Sequence, residues 1–139
     1  MIVQGIDRLF LRIAVLYVIL GMTLGIWMSA TENFLFRGVH AHMNLVGWAS
    51  MALYGLIYQA YPAMAASKLA VWHFWIANVG ALLLVLGIAF ILLQMHALVP
   101  VVIAGSYLSL IPAVLFAINI YSNAGAPSAK ERSNRGVPL

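Results

Sequence analysis

The chain has 139 residues, of which 65% are hydrophobic and only 7% are charged, and its mean hydropathy is +1.02. Soluble domains carry about 25% charged residues, so this composition excludes an ordinary water-soluble domain and predicts an integral membrane protein. The net charge of +4 comes from residues flanking the apolar runs, so no nucleic-acid partner is expected. The absence of cysteine excludes disulfides, thiolate metal sites and iron–sulfur clusters.

Three uncharged runs predict four transmembrane helices. The runs from Ile13 to Thr31 and from Gly38 to Ser67 each hold one helix, since about 20 apolar residues cross a hydrocarbon core roughly 30 Å thick. The third run, from Leu69 to Ala129, is long enough for two. A turn is predicted between these two at Gln94-Met95-His96, with Val99 pushed out of helical geometry by Pro100. The predicted spans are Leu9–Ala30, Gly38–Pro62, Leu69–His96 and Leu98–Ser122.

The predicted fold class is all-α, an integral membrane four-helix bundle over residues 1–122 followed by a polar tail over 123–139. Helices are expected because backbone groups in lipid must bond one another. An alternative for the first segment is a secretory signal peptide that ends at Met28-Ser29-Ala30, but its apolar run is long for that role.

The lysines and arginines predict the orientation of the bundle. Those on one side of the four-span prediction are Arg8, Arg12, Lys68, Lys130, Arg132 and Arg135. Only Arg37 falls on the other side. The positive-inside rule therefore predicts cytoplasmic N and C termini in a bacterial inner membrane.

Four histidines are the candidate functional residues, because ionisable side chains inside a membrane are costly and indicate function by default. His40, His42 and His96 are predicted near the outer surface, whereas His73 is predicted near the cytoplasmic face. At 1.5 Å per residue, His73 and His96 lie roughly 35 Å apart along one helix and cannot share a ligand within one chain. His40 or His42 can share one with His96. The alternative for each ring is a capping or packing role.

Spacing favours His40 over His42 as the buried ligand. Residues two apart on an α-helix point about 200° away from each other, so these two rings cannot face one site. His40 is in register with Asn44, Gly47, Met51, Tyr54 and Tyr58. That stripe suits a protein-facing surface or a flat cofactor. His42 is in register with Leu45, Ala49, Leu53 and Leu56, which form a more ordinary packing face.

Several chemistries lack the residues they need. The only acidic residues are Asp7, Glu32 and Glu131, all outside the predicted hydrocarbon core. Without a carboxylate relay, a paired acid and base or a glycine-rich phosphate loop, neither a hydrolase nor an ordinary proton pump is expected. Histidines in an apolar setting without carboxylates or thiols favour haem iron or copper.

One segment resembles a known family. The run Arg37-Gly-Val-His40-Ala-His42-Met-Asn-Leu-Val-Gly47-Trp48 resembles helix II of the haem-copper oxidase catalytic subunit and of the nitric oxide reductase large subunit. Asp7-Arg8-Leu9-Phe10 and His73-Phe74-Trp75 agree with it, so that the resemblance covers helices I to III, from Ile6 to Gly87. It implies that His40, or His42 in another register, is an axial ligand of a low-spin haem.

The family has many more spans than the four predicted here, and its other haem and copper ligands lie on later helices. Oxygen or nitric oxide reduction is therefore not expected of this chain alone; any enzymatic activity would be that of an oxidoreductase. The leading hypothesis is a small haem b-binding membrane protein for electron transfer or for binding or sensing a diatomic gas, NO or O2. His40 or His42 supplies one axial ligand, and His96 of the same or a neighbouring chain supplies the second.

In this hypothesis Arg37 pairs with a haem propionate, and Asn44 and Gly47 belong to the predicted cofactor stripe. A haem macrocycle needs more surrounding protein surface than four helices offer, so a homodimer or larger assembly is favoured. One alternative is a non-catalytic accessory or assembly subunit of a respiratory oxidase. Another is a copper site built from His40, His42 and His96, with Met43 or Met95 nearby.

Overall fold

The computed structural model describes residues 5–125, and the regular structure in this range is entirely helical. The elements are α1 (Ile6–Thr31), α2 (Arg37–His42), a π-helical segment (Met43–Ser50), α3 (Met51–Ala60), α4 (Pro62–Ala65), α5 (Lys68–Leu92), a 3-10 turn (His96–Leu98) and α6 (Val99–Asn123). Three helical stretches are long and apolar enough to cross a membrane, namely Ile6–Thr31, Lys68–Leu92 and His96–Asn123. The prediction of an all-helical membrane protein is thereby confirmed. Most of the predicted polar tail, with Lys130, Arg132 and Arg135, lies outside the described residues.

The predicted second span is one continuous helical rod whose middle part has π-helical geometry. Helix α2, the π-helical segment and α3 follow one another without a break from residue 37 to residue 60, and together they are called the second rod. The Ser50 hydroxyl donates to the Leu45 carbonyl, five residues earlier, at 2.9 Å. π-Helices are rare and are often found at functional sites, and the sequence spacing had predicted an ordinary α-helix here.

The helices pack as two pairs. Helix α1 lies along the second rod, and α5 and α6 form an antiparallel hairpin. A larger hydrophobic cluster joins the two pairs near the start of α1 and includes Phe10, Met51, Tyr58 and Phe74. A smaller cluster of Val39, Met43 and Val85 joins them near the other end.

Glycines allow the α5–α6 backbones to approach closely. A Cβ added at Gly80 would collide with the carbonyl oxygen of Leu108. Gly87 lies in the same way against Val102, and Gly105 against Leu84. Packing of small residues against backbone is a common source of attraction between helices in lipid, where apolar burial gives little.

The turn before α6 differs from the prediction. Val99 was predicted to leave helical geometry, but it begins α6 with φ −51° and ψ −40°. Pro100 lies in the first turn, where a missing backbone N–H has no helical acceptor to lose. The predicted third span also ends early, because α5 stops at Leu92 and His96 lies in the 3-10 turn instead of on that helix.

The cations of the described residues segregate between the two ends of the assembly. Arg8 and Arg12 are exposed in the first turns of α1, and Lys68 begins α5. These turns lie at one end, since the rings of Phe10 and His73 are 5.0 Å apart. Arg37 begins the second rod at the opposite end, beside the last turns of α5. We refer below to the Lys68 end and the Arg37 end.

Candidate functional site

His40 lies in the contact between the second rod and α1. Its Nδ1–H donates to the carbonyl oxygen of Gly21 on α1 at 2.8 Å. A Cβ added at Gly25 would lie 2.8 Å from its Cε1 atom, so the imidazole ring occupies the space left by the missing side chain. Because a carbonyl can only accept, Nδ1 carries a proton, and in the neutral ring the lone pair is then on Nε2. The Nε2 atom makes no hydrogen bond to any described residue.

His42 is fixed in a similar way by a different carbonyl. Its Nδ1–H donates to Gly38, one turn earlier on its own helix, at 2.8 Å. The lone pair is again left on Nε2. The residues predicted to share its face are not packed inside the protein, since Leu45 is 65% exposed and Leu53 is 56% exposed. The expected ordinary packing face is therefore an outward face.

The stripe predicted around His40 is covered by α1. The side chain of Asn44 lies against Gly21, and its amide also donates to the His40 carbonyl at 2.8 Å. Gly47 is buried under the ring of Tyr17. Of the two predicted alternatives, the structure shows the protein-facing surface at Asn44 and Gly47, where α1 leaves no room for a flat cofactor.

His96 is not brought beside the other two histidines. It is exposed in the 3-10 turn, and this turn packs mainly on α5 and α6, whereas His40 faces α1. Across residues 5–125, no three His, Asp or Glu side chains form a group that could hold a metal ion. The structure thus gives no support to a copper site built from His40, His42 and His96 of one chain.

Arg37 borders a groove at the same end as His40 and His42. The groove has a volume of about 360 Å³ and is lined by Phe34, Leu35, Arg37, Gly38, Ile88 and Leu92. Arg37 is exposed, and no ion pair between described residues involves it. An exposed guanidinium above apolar walls suits an amphipathic ligand with an anionic group.

A second polar cluster, which the sequence analysis missed, surrounds His73 near the Lys68 end. His73 is fully buried, and its Nδ1 lies 2.8 Å from the Tyr58 hydroxyl oxygen. Asn119 of α6, also fully buried, donates to that hydroxyl at 3.3 Å and to the Met64 carbonyl at 3.2 Å. The rings around His73 are Phe10, Tyr54, Tyr58 and Phe116.

The donors and acceptors of this cluster form one ordered series that ends at His73. The Ser67 hydroxyl and the Asn123 amide both donate to Oδ1 of Asn119, at 3.0 and 2.8 Å. The Asn119 amide donates to the Tyr58 oxygen, so the Tyr58 hydroxyl is free to donate to Nδ1 of His73. The His73 proton is then on Nε2, and this atom is buried with no partner among the described residues.

The sequence did contain a signal for this cluster. Tyr58, His73 and Asn119 are polar residues on three different predicted spans, and all three fall at the cytoplasmic end of their span. Polar side chains at equal depth on neighbouring helices are expected to pair in an apolar medium. The sequence could not show which helices are neighbours.

No family model, curated protein or solved structure matches this chain. Its function must be inferred from its own residues. These are the two fixed imidazoles near Arg37 and the buried cluster around His73.

Proposed function

We propose that the chain is a four-span membrane protein that binds haem b through Nε2 of His40, for electron transfer or for binding or sensing a diatomic gas. In this proposal the second rod also crosses the membrane, which brings the number of spans to four. It is roughly 35 Å long at an α-helical rise, which is enough for a hydrocarbon core of about 30 Å. Lys68, Arg8 and Arg12 lie at one end, which favours that end as the cytoplasmic side of a bacterial inner membrane.

The observation that carries the proposal is the hydrogen bond from Nδ1 of His40 to the Gly21 carbonyl. Metal-bound histidines usually donate their second ring N–H to a carbonyl or carboxylate, which fixes the tautomer and orients the lone pair. His40 has this arrangement across two helices, and it is half-buried, with Nε2 not among the fully buried polar atoms that lack a partner. These residues fit one axial ligand of a haem iron, which when bound would supply one-electron or gas-binding chemistry.

Arg37 supports the same assignment. It lies one helical turn before His40 and borders the groove at this end. Guanidinium binds carboxylates with two parallel hydrogen bonds, so Arg37 suits a haem propionate. The Arg-x-x-His spacing is also the feature by which this segment resembles helix II of the haem-copper oxidases.

His96 of the same chain would not join His40 in holding the haem, because His96 and His40 face different helices. A neighbouring copy, whose His96 is exposed, is the proposed source, and the protein is then a homodimer or larger assembly. Without such a neighbour His40 would be the only histidine that holds the haem, which would suit gas binding.

The test is the visible spectrum of the protein purified in detergent from haem-replete cells. The unchanged chain is expected to show a haem Soret band and sharper bands on reduction. The His40→Gly variant is expected to lose them and to regain them with added imidazole, because a free imidazole can enter the vacated position. A packing role for His40 would not give this rescue.

His42→Ala is the matched control, since His42 lies at nearly the same depth and is also held by a backbone carbonyl. It is expected to retain the spectrum. Loss in His42→Ala with retention in His40→Gly would move the ligand to His42. Unchanged spectra in both variants, or no haem in the unchanged protein, would end the haem proposal.

A second candidate function is an accessory or assembly subunit of a respiratory oxidase. The observation that favours it is the insertion of His40 and Asn44 beside Gly21 and Gly25, which serves helix packing without any cofactor. This candidate predicts a protein free of haem and metal that co-purifies with an oxidase from its native membrane. Haem bound in stoichiometric amount to the isolated chain would exclude it.

A further inference from the structure

A cavity of about 200 Å³ lies between the second rod, α5 and α6, near the middle of all three. Its lining residues are Val46, Ser50, Met51, Tyr54, Ala77, Ser109, Pro112 and Ala113. It is separate from the Arg37 groove and from the contact between His40 and α1. Most of its wall is apolar, but its polar groups are unusual for the interior of a membrane protein.

Two buried side-chain polar atoms within residues 5–125 have no hydrogen-bond partner, and both lie close to this cavity. They are Oγ of Ser109 and Nε2 of His73. Ser109 lines the cavity. His73 lies one turn before Ala77, another lining residue, and its ring is 4.4 Å from the ring of Tyr54 in the cavity wall.

The backbone around the cavity is irregular on two sides. Pro112 has no N–H, so the Leu108 carbonyl four residues earlier receives no α-helical hydrogen bond. On the facing wall, Val46 and Ser50 belong to the π-helical segment. An unpaired polar group in hydrocarbon costs several kcal/mol, and irregular backbone at membrane depth is tolerated where it lines a water-filled cavity or is buried in protein.

The size of the cavity fits water. One water takes up about 30 Å³ and usually makes two to four hydrogen bonds to polar groups, so several molecules have room here. A dry cavity is expected only where the lining is wholly apolar, and the Ser109 hydroxyl breaks that condition.

We infer that this cavity is a water-binding site inside the membrane, in which water hydrogen-bonds to Ser109 Oγ and reaches Nε2–H of His73. The site satisfies the groups that the protein leaves unpaired. Water also accepts the Nε2–H of His73, which is the last donor in the series of hydrogen bonds that runs from Ser67 through Asn119 and Tyr58. His73 thereby exchanges its proton with water within the membrane, independently of any haem at His40.

The absence of cysteine from the chain allows a direct test with single thiols. Ser109→Cys places one in the cavity wall. Ser106→Cys places one three residues away on α6, at nearly the same depth but on the exposed face, which lies against lipid if α6 crosses the membrane. Both variants are reconstituted in phosphatidylcholine vesicles and treated with 2-aminoethyl methanethiosulfonate.

Only the thiolate reacts, and it forms poorly in apolar surroundings. The Ser109→Cys variant is expected to react at least about tenfold faster than the Ser106→Cys variant, since each unit of thiol pKa changes the thiolate fraction about tenfold. In the Ser109→Cys background, adding His73→Phe is expected to slow the reaction, because it removes one of the groups that hold water.

A second matched pair serves if Ser109→Cys fails to fold. Ala77→Cys lies in the cavity wall on α5, and Val79→Cys lies on the 47% exposed outer face of the same helix. Faster reaction at the cavity position supports the inference in either pair. Equal rates, or a faster reaction at the outer position, show a dry cavity and overturn it, whatever the haem spectrum.

Discussion

Gly80→Ala is expected to lower the free energy of unfolding by about 2 kcal/mol net, since overpacking against backbone costs up to about 3 kcal/mol. The new Cβ would collide with the Leu108 carbonyl, which is backbone and cannot rotate away. Helices α5 and α6 must therefore separate along their contact. Alanine favours helix over glycine by about 1 kcal/mol, and the expected loss is what remains after that gain. Unfolding by SDS, followed by the fluorescence of the four tryptophans, measures the change.

Gly38→Ala is the control for this prediction. A Cβ at Gly38 would meet only a methyl carbon of Ile88, at an ordinary 3.5 Å. The same substitution there is expected to leave stability unchanged or to raise it by up to about 1 kcal/mol through helix propensity. If both variants were equally stable, the α5–α6 backbones would not be in the close contact described above.

Asn119→Leu is expected to destabilise the protein by about 2–3 kcal/mol. Hydrogen bonds between membrane helices average about 0.6 kcal/mol each, and Asn119 makes four with its side chain. Leucine also leaves the buried Tyr58 hydroxyl without its donor and the Met64 carbonyl without a side-chain donor, which adds a desolvation cost. The same SDS titration measures the loss.

Asn78→Leu is the matched substitution on the neighbouring helix. The Asn78 amide bonds only to the Phe74 carbonyl of its own helix, so its loss is expected to cost less than about 1 kcal/mol. A double-mutant cycle of Asn119→Leu with Tyr58→Phe should show a coupling of about 0.5 kcal/mol or more, because the two residues share one hydrogen bond. Additive effects would mean that the cluster around His73 does not act as a unit.

The sequence predicted the helices well because a chain that crosses lipid can adopt few kinds of backbone structure. Uncharged runs of sufficient length must become helices, and charges mark where they end. The start of α6 was predicted less well, because the rule that a residue before proline avoids helical geometry gave way at Val99 to the tolerance of proline in a first turn. The π-helical segment left no signal in the spacing of apolar residues.

The candidate site was partly predictable. Spacing placed His40 and Gly47 on one face, and the structure shows that face against α1. Spacing could not show that the Gly21 carbonyl fixes the His40 ring, since that contact joins residues nineteen positions apart. The sequence analysis did not predict the role of His73, because Asn119 is distant from it in sequence and composition does not show which helices are neighbours.

The unequal sizes of the two clusters that join the helix pairs have a mechanical consequence. At the Lys68 end the pairs are held by large side chains and by the hydrogen bonds of Asn119. At the Arg37 end the fully buried contact is smaller and consists, among the described residues, of Val39, Met43 and Val85, with half-buried neighbours around them. Thermal separation of the pairs should therefore pivot at the Lys68 end, so that the groove at Arg37 widens most and with least loss of contact. A bulky ligand would enter there without the rest of the molecule coming apart.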